Sequence, residues 1–385
     1  MRRLLSAPIL ALALTLTLTQ VSPACTFCGG GYAGRQSLRQ HMAGSKIVLH
    51  GTLENARPDP DGLGGTTDLR VDSTLKTDAK YKVPLVATLP RYVPTVGTGS
   101  KEYLAFCDLI DGKLDLVSGV PATAAVTAYL KAAAALDPKN TPAALGFFFR
   151  YVDAKDPTVS ADAFLEFARA TDAEISASAR YLDRTKIRAW LADPTTPAER
   201  IGVYAMMLGL CGHADDGPFL RTLLTANPLP DRFANGFSGL LAGFTLLNPK
   251  AGWAIVEAIL TDAKAATDRK FAAVSTVRFF QATRTKDAKS AILAAYKVAI
   301  AQGDVADMAV EDLRRWNWWD LSDEVLKCYG KPGHTAPITK RAIVRFALSC
   351  PNAAAKAFVM NVRKTDAQLV EEVEEGLKLY AVPGK

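Results

Sequence analysis

Between residues 25 and 120, hydrophobic and polar positions alternate in short runs, which predicts β-strands. In the run 46–53, for example, Ile47, Leu49 and Leu53 share one face. Further strands are predicted at residues 69–71, 83–89, 103–106 and 114–117, after a short helix at 35–43 and around a long hairpin loop at 57–65. The dipeptide Asp111-Gly112 is typical of a tight turn. About five short strands with one helix indicate a small β-barrel of the OB type.

From Pro121 onward the apolar positions recur with the helical period of 3.6. The clearest stripes are Ile201, Tyr204, Ala205 and Leu208, and Ala355, Phe358, Val359 and Val362. Helix starts with a capping residue before a proline are predicted at Thr141-Pro142, Thr196-Pro197 and Asn248-Pro249. We therefore predict roughly fifteen helices joined by short loops.

Two stretches of the helical region resemble each other weakly. Residues 197–211 and 337–350 have the same spacing from Tyr204 to Cys211 and from Ile343 to Cys350, and each is followed by a second amphipathic segment. Helix pairs with a period of roughly 40 residues are typical of HEAT-like repeats. The sequence thus predicts an α-solenoid, and a compact all-α domain is the alternative.

Residues 1–24 have the organisation of an export signal. A basic start precedes an apolar run that ends at Thr19, and Ser22 and Ala24 are the small residues that precede a cleavage site. The run is shorter than the roughly 20 residues of a membrane span. We predict cleavage after Ala24 and a soluble exported protein in the periplasm, the cell envelope or the medium. In the alternative, a lipoprotein, Cys25 carries lipid and the protein contacts a membrane, although Ser22 stands where lipoprotein signals usually place Leu.

Composition excludes several classes of protein. The chain has 385 residues, of which 49% are hydrophobic and 22% charged, so it is not collagen-like, wholly disordered or a multi-span membrane protein. The formal net charge of +7 falls to +5 once Arg2 and Arg3 leave with the leader. The remaining charges are interleaved without a basic run, and we therefore predict no nucleic-acid partner.

One resemblance concerns the β module. The stretch Lys101-Glu102-Tyr103-Leu104, followed by Asp111-Gly112-Lys113-Leu114, resembles a stretch of netrin-like modules, which include the tissue inhibitors of metalloproteinases. The paired cysteines near the presumed mature N-terminus are similar to that group as well. The resemblance covers about 95 residues and lacks the full cysteine pattern of those inhibitors. It implies an OB-like fold, and it implies that the amine and carbonyl of Cys25 chelate a protease's zinc.

A second resemblance covers the whole chain. It is carried by Cys25-Thr26-Phe27-Cys28 and by three further segments. These segments are residues 163–168, 205–212 and 312–316 with Trp318 and Trp319. They resemble an uncharacterised family of exported bacterial proteins, which implies the same architecture and nothing about chemistry.

The pair Cys25 and Cys28 is the sharpest local motif. It lacks the strand-to-helix setting of a redox site and the histidine of a haem attachment site, and no second pair completes a zinc site. We therefore predict a structural disulfide, from Cys25 or Cys28 to Cys107, that ties the N-terminus to the β module.

The segment Trp316-Asn317-Trp318-Trp319 is the candidate binding surface, because exposed tryptophans favour contacts with sugars or peptides. The interpretation we favour for Trp316, Trp318 and Trp319 is packing between helices. The stretch Gly236-Phe237-Ser238-Gly239 nearly forms a nucleophile elbow, but Leu240 replaces the required glycine. Cys211 and His213 could bind a metal, yet Cys211 lies on an apolar helical face.

No further catalytic, metal or phosphate motif is recognisable, so we predict a protein that is not an enzyme and has no metal and no cofactor. The predicted organisation is α+β: a leader (1–24), an OB/netrin-like β-barrel (25–120) and a HEAT-like solenoid (121–385). The predicted function is non-catalytic binding or scaffolding of a protein or peptide partner. The alternatives are inhibition of a metalloprotease through Cys25 and an envelope enzyme with an unrecognised site.

Overall fold

The computed structural model describes residues 25–28, 32, 34–94, 101–226 and 228–380. The predicted leader, residues 1–24, lies outside the described residues. Within those described ranges, no helix is both long enough and apolar enough to cross a membrane.

Within the part of the chain that the structure describes, five antiparallel strands form one sheet in the order β3-β2-β1-β4-β5. The strands are β1 (Ile47–Pro58), β2 (Gly65–Lys76), β3 (Val86–Leu89), β4 (Glu102–Ile110) and β5 (Lys113–Pro121). The predicted number of strands is confirmed, but the sheet is open and does not close into a barrel, since no ladder joins β3 to β5. Asp111 and Gly112 both have positive φ, 51° and 76°, as the predicted tight turn requires.

The two central strands are buried on both faces. On one face Val48, Leu104 and Phe106 join the core of the helices. On the other face Ile47 and Cys107 belong to a smaller core that the sheet forms with its own strands and loops. This double burial explains the apolar run Tyr103–Cys107 in β4 and the apolar start Ile47–Leu49 of β1.

The described residues contain seventeen α-helices, and the α+β class is confirmed. They are α1 (Leu38–Gly44), α2 (Ala124–Ala134), α3 (Thr141–Phe149), α4 (Pro157–Arg169), α5 (Asp172–Ala177), α6 (Arg184–Ala192), α7 (Ala198–Cys211), α8 (Asp216–Leu224), α9 (Asp231–Asn235), α10 (Phe237–Leu247), α11 (Pro249–Thr261), α12 (Thr267–Gln302), α13 (Ala306–Arg315), α14 (Ser322–Cys328), α15 (Pro337–Ser349), α16 (Ala353–Thr365) and α17 (Ala367–Tyr380). Helix α12 is kinked at Arg284, whose backbone is not helical.

The predicted helix starts are confirmed to within a residue, but the capping contacts differ. Helix α3 is capped by Asn140, whose side chain accepts a hydrogen bond from the Ala143 N–H. Before α7, the Thr196 hydroxyl donates to the Trp190 carbonyl and does not cap the helix. The prolines therefore marked these starts better than the residues before them, because proline fixes the φ of the first turn.

Helices mostly pack against helices that are close in sequence: α7 on α10, α10 on α12, α12 on α13, and α13 on α15. The α7–α10 contact depends on glycines, since a Cβ at Gly239 would lie 1.9 Å from the Gly202 carbonyl oxygen and one at Gly209 would lie 2.5 Å from the Gly243 Cα. Gly239 belongs to the near-elbow segment of the sequence, and in the structure it lets two backbones approach closely.

Gly239→Ala is expected to destabilise the fold by about 2 kcal/mol or more, because the added methyl meets backbone that cannot move aside. Gly376→Ala is the matched control, since a Cβ there meets nothing within 4 Å and alanine favours the helix by up to about 1 kcal/mol. Chemical denaturation of both variants measures the difference. Equal stability of the two variants contradicts the close approach of α7 and α10.

Candidate functional site

The N-terminal segment forms a closed loop that inserts among the helices. Cys25 and Cys28 are joined by a disulfide, and both are buried together with Phe27. The Phe27 ring packs on Phe279 of α12, with ring centroids 5.3 Å apart. The loop therefore belongs to the core of the helices rather than to that of the sheet.

The predicted disulfide from Cys25 or Cys28 to Cys107 is wrong. Cys107 is a free thiol in the core on the other face of the sheet, while Cys25 and Cys28 bond to each other. Burial raises the pKa of the Cys107 thiol to about 12, so it is unreactive at neutral pH. Spacing in sequence could not show which cysteines meet, because that depends on which core receives the N-terminal loop.

Thr26 fixes the loop to α5. Its backbone N–H and its hydroxyl donate to the two carboxylate oxygens of Asp172, at 3.0 and 2.5 Å. Asp172 is the first residue of α5 and is buried. Burial raises its pKa, and the two hydrogen bonds from Thr26 oppose that rise. Asp172 therefore acts as a structural acceptor, a role with no signal in the sequence.

A pocket of about 550 Å³ opens where this loop meets α5, α12 and α13, and we call it the junction pocket. It is lined by Thr26, Thr171, Asp172, Ala173, Arg278, Gln281, Ala282, Asp312, Arg315 and Trp316. Its volume lies within the roughly 300–1,000 Å³ typical of small-ligand sites. Trp316 is the one candidate of the predicted tryptophan surface among these lining residues.

One wall of the junction pocket is a hydrogen-bonded group on Asp312. The Arg278 Nε and the hydroxyl of Tyr296 both donate to Asp312 Oδ2, at 2.7 and 2.6 Å. Tyr296 is fully buried, and burial raises its pKa well above its ordinary value. Trp316 stacks on the Tyr296 ring with centroids 5.6 Å apart and planes within 5°. The kink at Arg284 lies between Arg278 and Tyr296, so Asp312 holds both halves of α12.

Beside this wall, three arginines share one carboxylate. Arg314, Arg315 and Arg345 lie 2.6, 3.2 and 3.4 Å from the Glu311 oxygens. Burial alone would raise the pKa of Glu311, but the hydrogen bond from Arg314 and the charges of the three guanidinium groups lower it below its usual range. Together with Arg278 these residues form what we call the arginine cluster.

The three predicted tryptophans do not form one exposed ledge. All three are half-buried. Trp318 meets Trp316 edge-on at 5.3 Å and lies 5.2 Å from the Lys289 ammonium, whereas Trp319 packs edge-on against Phe346 of α15 at 5.0 Å. Only Trp316 therefore combines packing with a position on the junction pocket.

A second pocket, of about 570 Å³, lies between α1, α4 and the end of β5. Asp162 in its wall accepts hydrogen bonds from the Leu38 N–H at 2.7 Å and from the Tyr129 hydroxyl at 2.8 Å. Burial raises the pKa of Asp162 to about 6. His41 also lines this pocket, and burial lowers its pKa. Since both carboxylate oxygens already accept hydrogen bonds, Asp162 anchors α1 to α4.

The other candidate residues do not converge. Burial raises the pKa of Cys211 to about 11, and the backbone N–H of His213 donates to Asp216 at 2.9 Å. Among the residues that the structure describes, no three His, Cys, Asp or Glu side chains come together as a metal site would require.

Comparisons of the chain with protein-family models, with curated proteins and with solved structures find no significant match. The resemblances to netrin-like modules and to a family of exported bacterial proteins therefore stay predictions. What the structure supports is their coarse form, a small antiparallel sheet followed by many helices.

Proteolysis of the oxidised protein is expected to release Cys25 and Cys28 in one peptide that is two hydrogens lighter than its reduced form, with Cys107 as a free thiol. Mass spectrometry after alkylation under denaturing, non-reducing conditions measures this. A peptide containing Cys107 that is disulfide-bonded to Cys25 or Cys28 would contradict the Cys25–Cys28 bond and support the pairing predicted from the sequence.

Asp162→Asn is expected to remove a pH-dependent part of the stability. Because the pKa of Asp162 is raised in the folded state, the native protein holds more protons than the unfolded chain between about pH 4 and pH 6. As the pH rises through this window, the free energy of unfolding of wild type therefore falls relative to that of the variant by about 2–3 kcal/mol. Above the window the difference between the two proteins is constant. Urea denaturation at several pH values tests this, and a difference that does not change with pH contradicts it.

Proposed function

We propose that this protein is a non-catalytic extracytoplasmic binding or scaffold protein that holds a protein or peptide partner on its helical part. Sequential packing of α7, α10, α12, α13 and α15 supports the finer proposal of a HEAT-like arrangement, in which each unit packs mainly on its neighbours. The open sheet, as an OB-like or netrin-like module, would provide a second contact surface.

The junction pocket is the observation that carries this proposal. Its wall presents Arg278, Arg315 and Trp316 at one opening. Arginine and tryptophan are the residue types that contribute most to binding at protein interfaces. The two carboxylates of the pocket already accept internal hydrogen bonds, Asp172 from Thr26 and Asp312 from Arg278 and Tyr296. Such an arrangement favours recognition over acid–base chemistry.

Location outside the cytoplasm rests on the leader predicted at residues 1–24. The Cys25–Cys28 disulfide agrees with this, since such bonds persist in oxidising compartments. The disulfide also favours the unlipidated form, because a lipid on Cys25 would need the same sulfur atom. Inhibition of a metalloprotease gains no support, since Cys25 is only 7% exposed and packs with the helical core.

Blocking the junction pocket is expected to abolish partner binding. Ala282 lines the pocket and is exposed, so Ala282→Trp fills the opening without entering the core. Ala301→Trp is the matched control on the same helix, at an exposed position that does not line this pocket. Wild type and each variant are cross-linked in native envelope, and the proteins captured with them are identified. Thermal melting of each variant verifies that it is folded.

The proposal predicts that one protein is enriched by wild type and by Ala301→Trp and is lost with Ala282→Trp. It is wrong if Ala282→Trp recovers the same protein as well as wild type does, or if wild type enriches no protein over the bare matrix.

A further inference from the structure

The junction pocket and the arginine cluster together carry more positive than negative charge. Arg278, Arg314, Arg315 and Arg345 contribute four guanidinium groups. Glu311 and Asp312, together with Asp172 across the pocket, contribute at most three carboxylates. One guanidinium charge therefore has no carboxylate to balance it within this group.

The excess charge is exposed where a ligand can reach it. Arg315 is 65% exposed, and its ion pair is with Glu311, which it shares with two other arginines. Arg278 is 38% exposed and uses Nε for Asp312. Guanidinium groups bind carboxylates in a two-pronged geometry, and clusters of them recognise acidic motifs in peptides.

An apolar surface adjoins these charges. Trp316 lines the same pocket, and its ring is held rigidly by the stack on Tyr296. An aromatic side chain that is already fixed loses little conformational entropy when a ligand packs on it. A ligand that suits both features carries a carboxylate next to an apolar or aromatic group.

We propose that the junction pocket binds an acidic peptide segment of the partner, with a Glu or Asp carboxylate on Arg315 and Arg278 and a neighbouring apolar side chain on Trp316. This proposal rests on the proposed function and names the chemistry of its partner.

A fluorescein-labelled peptide in which Glu alternates with Phe is the probe, measured by fluorescence anisotropy. The same peptide with Gln in place of Glu is the matched ligand control. The proposal predicts saturable binding of the Glu peptide that weakens as salt is added, with the Gln peptide at least about tenfold weaker.

Arg315→Gln tests the site, since its exposure means that the change leaves the core intact. Arg363→Gln is the matched control, an exposed arginine of α16 that is ion-paired with Glu374. We expect Arg315→Gln to weaken binding of the Glu peptide about tenfold and Arg363→Gln to leave it unchanged.

Equal binding of the Glu and Gln peptides, no binding of either, or equal effects of the two arginine substitutions would overturn this assignment. If Ala282→Trp still abolishes capture of a partner while the Glu peptide fails to bind, the binding function stands and the acidic specificity is wrong. If Ala282→Trp has no effect on capture, the proposed function itself fails.

Discussion

The junction pocket depends on the insertion of one short loop into the helical core. The disulfide between Cys25 and Cys28 closes the loop, Phe27 packs on Phe279 of α12, and Thr26 satisfies both oxygens of the buried Asp172. A buried carboxylate without these donors would be costly, so α5 and the loop stabilise each other. The loop thus contacts both α5 and α12, the helices between which the pocket opens.

A second polar contact gives the opposite wall its shape. Asp312 on α13 accepts hydrogen bonds from Arg278 and Tyr296, which lie on either side of the kink in α12. Asp312 therefore joins both halves of α12, and the stack of Trp316 on Tyr296 continues the same wall. Under the proposed function, side chains supported in this way are held in place before a partner arrives, which would lower the entropy cost of binding.

Periodicity predicts the number of strands and the change to helices near residue 121, because burial of one face is a local property of the sequence. Prolines predict three of the helix starts to within a residue. Periodicity could not predict the Cys25–Cys28 bond or the partners of Asp172 and Asp312, since these depend on contacts between distant segments. One usable signal was Asp312 itself, a charged residue on the buried side of α13. Residue type alone points to Trp316, Trp318 and Trp319 equally, whereas in the structure the three have different surroundings.

Site-specific photo-cross-linking in the native envelope tests the central claim most directly. A photoreactive residue at position 282 lies at the opening of the junction pocket, and one at position 301 lies elsewhere on α12. The account predicts a cross-linked partner from position 282 only, with the attachment mapped to an acidic stretch of its sequence. Cross-linking of equal yield from both positions, or attachment to a basic stretch, would contradict it.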